Sequence, residues 1–381
     1  MLIYLLITAV TIYLGALVRD EDTDLISSEM KRNGVYVYTG VSRQQVINLI
    51  CMVSIFVTLF GISALRINVG NDYARYVNFM HLANVHAYVP TEAGFNYLTR
   101  FIYFISGYEN FLLVFACYGF ATIALFLLAI RKLSASFGWT FFMFMTLTYY
   151  FQSLSTMRYY LALAASVYAM YLILKGDYPA FVLMILAGSL FHKSILLVLV
   201  LYPLCNIKWN KYIKVAGLCA VISSLFLKDL YLKLFLIVYP TYENTDFLTG
   251  GTSLISIARC AMVILLFFVF RNDLSGSKRD IFYLKLNILA LLLYVFGSFL
   301  PVISRIGYYL TISQIFIIPD IILAAGAGKR KGVLRILVTL ACIAYFLIFI
   351  FRQAPADGVR ILPYQTWLFH DMVPIEYQIL D

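Results

Sequence analysis

Arg66, Asp72 and Arg75 fall within ten residues of the stretch LRINVGNDYARYVNF, just after a long apolar run. Similar groups stand at other apolar edges. Gln152 and Arg158 flank the junction of two apolar segments, His192 and Lys193 belong to FHKS, and Arg259 and Arg305 lie near the starts of two more. An arginine guanidinium grips phosphate oxygens through paired hydrogen bonds and stays charged when partly buried. Several together can hold a diphosphate and neutralise the charge that develops as it leaves. A carboxylate or imidazole beside them can accept a proton from an attacking hydroxyl, and Asp72, Glu92, Glu109 and His192 are the groups at hand. Aromatic rings stack on sugars, and YPTYENTDF (239–247) gathers several of them. The set suits transfer of a group from a lipid-linked diphosphate. Each member alone also has a plainer role. A helix-end Arg anchors a membrane interface, His192 packs, and Asp72 pairs with Arg75 or caps a helix beginning at Tyr73. Joint placement carries the functional reading.

The scaffold for these groups is mostly apolar. The 381 residues are 62% hydrophobic and 13% charged, with a mean hydropathy of +0.87, whereas a soluble domain has about a quarter charged residues. Apolar runs recur along the chain, so the expected fold is all-α and polytopic in a membrane, with about twelve transmembrane helices. The expected spans are 2–18, 46–66, 110–130, 139–154, 157–174, 179–191, 194–205, 213–227, 255–271, 282–302, 305–324 and 333–351. They form a single transmembrane domain over 1–351, with loops 67–109 and 228–254 contributing to the site, followed by a tail at 352–381. The net charge of +10 reads as topology rather than nucleic-acid binding. The six Cys show no CxxC spacing, so neither a zinc site nor a disulfide framework is expected, and no cofactor is implied. RDEDTD (19–24) contains an Asp-x-Asp, but its loop is too small for a nucleotide-binding domain.

Topology turns on the stretch 179–205, which is long for one helix and short for two. Breaking it at FHKS puts most Lys and Arg on one side, the cytoplasmic one, including GKRKG (328–332). Both termini then face outward. So do Arg66, Asp72, Arg75, Glu92, Arg158, His192, Arg259 and Arg305. Two helices of about 13 residues rise only ~20 Å each against a core of ~30 Å, which predicts that FHKS sits in a notch below the outer surface. Asp320, near the inner end of 305–324, has no account beyond an interior polar contact.

Three stretches resemble the EpsG family of O-antigen-polymerase-like membrane proteins. RINVGNDYARY (66–76) is similar to that family's Arg-x-x-x-Gly-x-Asp-Tyr-x-x-Tyr signature and is followed by EAGFNYL (92–98). MRYYLALA (157–164) leads to LFHKS (190–194), and SRIGYYL (304–310) comes last. The resemblance implies a multi-helix fold like that of the metal-independent GT-C membrane glycosyltransferases. The implied activity is polymerisation of undecaprenyl-diphosphate-linked repeat units at the outer, periplasm-facing side of the bacterial cytoplasmic (inner) membrane, in O-antigen, capsule or exopolysaccharide synthesis. Its implied partners are the lipid-linked donor and acceptor, membrane lipid and a chain-length regulator protein. The positions carried over are Arg66, Gly70, Asp72, Tyr73, Tyr76, Glu92, Arg158, His192 and Arg305. This places Asp72, Glu92 and His192 as catalytic candidates. Arg66, Arg75, Arg158, Arg305, Arg259, Lys193, Gln152, Tyr73, Tyr76 and Tyr308 are candidate contacts to diphosphate or glycan. Where the family often has Gln, this chain has MRYY, so Tyr159 is not taken as catalytic. A flippase of lipid-linked sugars, a glycan ligase and a membrane acyltransferase are the rival functions.

Overall fold

The computed structural model describes residues 1–19, 29–32, 35–38, 41–238, 254–300, 303–325 and 328–378. Their regular structure is helical apart from one short antiparallel hairpin, with an irregular C-terminal segment after residue 353, and they group into two compact units. YPTYENTDF (239–247) and most of RDEDTD (19–24) lie outside the described residues.

The first unit comprises Met1–Tyr168, Leu190–His192 and Val333–Asp381. It opens with α1 (Leu2–Leu17), then the hairpin β1 (Glu29–Arg32) and β2 (Val35–Tyr38). α2 (Arg43–Leu65) starts at a capping box, in which Ser42 and Gln45 satisfy each other's backbone N–H. α3 (Tyr73–Asn84) and α4 (Ala93–Ser106) follow, in the stretch expected to be an open loop. They bury Tyr73, Tyr76, Val77, Met80, Phe95 and Ile102, at helical spacing, against the next long helix. The opposite face of α4 exposes Tyr97, Phe101, Phe104 and Tyr108, aromatics suited to a membrane interface. α5 (Phe111–Leu133) is capped by Asn110. The expected span 139–154 is two helices, α6 (Phe137–Thr146) and α7 (Tyr149–Ser153), broken at Thr148 with φ 67°. α8 (Met157–Lys175) carries MRYY in its first turn.

The second unit comprises Ala169–Ser189 and Lys193–Gly332. α9 (Tyr178–Ser189) ends just before FHKS, a 3-10 turn covers Lys193–Leu197, and α10 (Val198–Asn206) follows. The chain thus breaks at the expected point. α11 (Lys211–Phe226) and α12 (Lys228–Val238) meet at 96°, so the expected loop 228–254 begins as a helix. α13 (Leu254–Val269) and α14 (Lys278–Phe296) precede α15 (Ile303–Thr311) and α16 (Gln314–Ala324). α17 (Lys329–Ile348) leads back into the first unit and ends in a π turn at Phe349–Gln353.

Most of the expected apolar segments overlap helices among the described residues. Among the described residues, five helices are long and apolar enough to cross a membrane, or six if the bent pair α11–α12 is one span. Shorter apolar helices account for most of the rest. The chain is a polytopic helical membrane protein.

Candidate functional site

Three consecutive residues at the start of α8 reach three different partners, because successive side chains on a helix point about 100° apart. Arg158 donates from Nη1 to Glu92 Oε2 at 2.5 Å, with the two side chains only 15% and 13% exposed. The ring of Tyr159 meets the His192 ring edge-on at 5.4 Å. The Tyr160 hydroxyl donates to Gln152 Oε1 at 2.8 Å, and Gln152 Nε2 in turn donates to Thr148 Oγ1. Arg158 also lies over the rings of Tyr76, at 5.6 Å, and Phe95, at 5.5 Å. Glu92 is the N-cap residue of α4, yet its side chain makes no cap hydrogen bond, and the carboxylate reaches Arg158.

Two backbone contacts complete this arrangement. The Gly94 N–H donates to the Leu190 carbonyl at 2.8 Å, and a Cβ on Gly94 would collide with that carbonyl. EAGF and Leu190 are thereby locked together, with Phe191 packed edge-on against Tyr118.

The signature segment is held differently. Arg66 is 2% exposed, donates to the Leu154 carbonyl at 2.6 Å and lies over Phe115 at 5.2 Å. Its guanidinium thus turns inward, to a carbonyl and aromatic rings. Gly70 has φ 112°, and a Cβ there would strike the backbone of Leu154 and Ser155. Gly70→Ala is therefore expected to cost about 2–5 kcal/mol, combining left-handed strain with overpacking. Denaturation of the purified protein in detergent measures this, and wild-type stability would contradict it. Tyr73 is stacked flat on Phe115 at 4.3 Å, and burial pushes its phenol pKa up. Asp72 is the N-cap residue of α3 but makes no side-chain cap bond, so the capping role is corrected. Asp72 is half-exposed and Arg75 exposed, one on either side of the buried Tyr73.

The C-terminal segment was not anticipated as part of this site. Ile67 and Gly70 donate backbone N–H bonds to Gln365 and Arg360, at 3.0 and 2.8 Å, and Asn71 donates to Val359 at 3.0 Å. Tyr4 donates to the Ile361 carbonyl, and Tyr364 to that of Ile62. A second unanticipated group is His81. Its Nδ1 lies 3.0 Å from both oxygens of Glu109, which also accepts from Asn84, and Tyr377 stacks on the imidazole at 4.0 Å. An imidazole oriented by a carboxylate is a competent proton acceptor. The available signal was Glu109 itself, together with the position of His81 two helical turns beyond Tyr73.

In the second unit, Ser194 of FHKS meets the Tyr309 hydroxyl at 2.8 Å, and Tyr202 donates to the Tyr309 carbonyl at 2.9 Å. Gly307 lies so close to the Tyr294 ring that a Cβ would overlap it. Ser194 and SRIGYY are thus neighbours within this unit. Arg305 and Tyr308 are half-buried on α15, Arg259 is half-buried on α13, and Lys193 is exposed. Asp320 pairs with Arg279 at 3.1 Å, which supplies its interior contact.

The sequence model of the EpsG family matches residues 49–366. No curated protein and no solved structure matches the chain.

Proposed function

The chain belongs to the EpsG family, and from that premise we propose that it polymerises undecaprenyl-diphosphate-linked oligosaccharide repeat units at the outer face of the bacterial cytoplasmic membrane. The growing glycan leaves its lipid diphosphate and joins the non-reducing end of a new lipid-linked unit. A sugar hydroxyl of the acceptor attacks the anomeric carbon of the donor. The bond from that carbon to the diphosphate oxygen breaks, and the hydroxyl proton passes to a base.

The observation that supports this reading best is the Arg158–Glu92 pair set between Tyr76 and Phe95. A guanidinium anchored on one edge by a carboxylate keeps its remaining donors in a fixed plane for phosphate oxygens. Glu92, with its carboxylate engaged, acts as the anchor for Arg158, which leaves Asp72, His192 and the Glu109-oriented His81 to take the proton. Asp72→Asn tests charge at nearly constant shape. With Asp72 as base, polymer formation falls roughly 100-fold or more while donor binding holds. Wild-type polymer from Asp72→Asn passes the role to His192 or His81.

The proposed topology has twelve spans in a single transmembrane domain, with the GKRKG loop in the cytoplasm and the C-terminal segment outside. A cysteine introduced at Gly358 in intact spheroplasts is expected to react with an impermeant maleimide, and one at Gly332 to be protected. The reverse pattern would place the site on the wrong face for a lipid-linked donor awaiting polymerisation.

A further inference from the structure

Arg66, Gly70 and Asn71 all close on one short turn, Leu154–Thr156, which joins α7 to α8 just ahead of Arg158. The Arg66 guanidinium donates to the Leu154 carbonyl at 2.6 Å. The Asn71 N–H, shared with the Val359 carbonyl, lies 3.2 Å from Ser155 Oγ. Gly70, at φ 112°, comes so near that a Cβ would strike both Leu154 and Ser155. The turn is buried, with Leu154 1% and Ser155 7% exposed. The grip is braced from behind, because Ile67 and Gly70 donate to the carbonyls of Gln365 and Arg360.

The turn has physical reasons to need a clamp. α7 has only five residues, too few for a helix to be stable by itself. The last carbonyls of a helix lack partners within it and favour a cation. Leu154 is the C-cap residue of α7, and Arg66 supplies that cation. Among the described residues no carboxylate pairs with Arg66, so its charge is directed at this carbonyl and the rings around it. At 2% exposure it offers no edge to a diphosphate. Arg158, by contrast, stands in the first turn of α8, and its long side chain amplifies any rotation of that turn. A displacement of about 1 Å at a group that contacts the reacting atoms costs on the order of 100-fold in rate.

We propose that Arg66, Gly70 and Asn71 are positioning residues. They clamp the Leu154–Thr156 turn so that α8 presents the Arg158 guanidinium, already fixed on Glu92, to the donor diphosphate. Arg66 itself touches no substrate, and the signature acts through Arg158. The proposal rests on the polymerase reading for the identity of the ligand.

Ladder formation in liposomes containing the single lipid-linked unit tests this, with rates taken per monodisperse full-length protein. Ser155→Ala removes one hydroxyl from the turn and should lower the rate about 2- to 12-fold, the worth of one hydrogen bond. Arg66→Lys keeps the charge but loses the fork, and should lower it about 10- to 100-fold. Combined with Arg158→Lys, neither should cost more than about 2-fold beyond Arg158→Lys alone, since residues acting through one group are not additive. Losses that multiply, or wild-type rates in both single variants, would overturn the proposal. Ser155→Ala carries the test if Arg66→Lys misfolds. A cycle without turnover separates the two readings. Arg158→Met and Glu92→Gln, alone and together, give the coupling of that pair from denaturation midpoints in detergent. Introducing Ser155→Ala should reduce this coupling by about half or more. If the coupling falls but the wild type forms no ladder, the polymerase reading falls alone. If the wild type forms a ladder and the coupling is unchanged, the positioning role falls alone.

Discussion

Arg158→Lys leaves the chain folded and lowers polymer formation roughly 100- to 1,000-fold, the usual loss when a donor aimed at developing charge is removed. Lysine still reaches one oxygen of Glu92 and keeps the positive charge. It loses the planar fork through which arginine engages a carboxylate on one edge and phosphate oxygens on the other. Arg158→Ala does something different. It strands the Glu92 carboxylate, only 13% exposed beside Phe95, without its counter-charge. Breaking a buried pair in this way costs about 3–5 kcal/mol, so less folded protein should accumulate. Adding Glu92→Ala to Arg158→Ala removes the stranded charge and should restore the amount of folded protein but not the polymer. Recovery of polymer in the double variant would reduce the pair to a structural role.

Truncation after Ala356 should abolish folded protein as well as activity. The lost segment supplies the acceptors for the backbone N–H groups of Ile67, Gly70 and Asn71. Ile67 and Gly70 are buried, and each such donor left unsatisfied costs about 1–3 kcal/mol, a large share of the ~5–15 kcal/mol stability of an ordinary domain. Truncation after Thr366 is the informative contrast. It keeps those acceptors and removes only the stretch that holds Met372 and stacks Tyr377 on His81. That shorter protein should run as a monodisperse peak on size exclusion, whereas the longer deletion should aggregate. Equal behaviour of the two would mean that Arg360 and Gln365 are not the acceptors that matter.

The helical segments were legible because apolar runs are dictated by the membrane. Their interruptions were less so. The break at Leu190–His192 followed from length and charge, but a left-handed Thr148 inside an apolar run has no sequence marker. α3 and α4 read as loop because their apolar residues, such as Tyr76, Val77 and Met80, cover one face of helices too short and polar to resemble spans. At the site, the motifs EAGFNYL, MRYY and LFHKS do lie together in the structure, joined by Arg158 to Glu92 and by Gly94 to Leu190. The inward turn of Arg66 was hidden, because whether an Arg faces solvent or a carbonyl depends on what is packed around it. The C-terminal segment was hidden for another reason. Ile67 bonds to Gln365 and Tyr4 to Ile361, pairings so distant along the chain that no local period reports them.

The most direct test of the account uses the full-length protein reconstituted in liposomes containing the single lipid-linked repeat unit extracted from a null strain of the source organism. With no nucleotide sugar added, the wild type is expected to convert that unit into a ladder of lipid-linked products increasing by one repeat each, and Arg158→Lys is expected to leave it almost entirely as the single unit. A single unit that persists unchanged with the wild-type protein, or that crosses the bilayer without growing, would contradict the account.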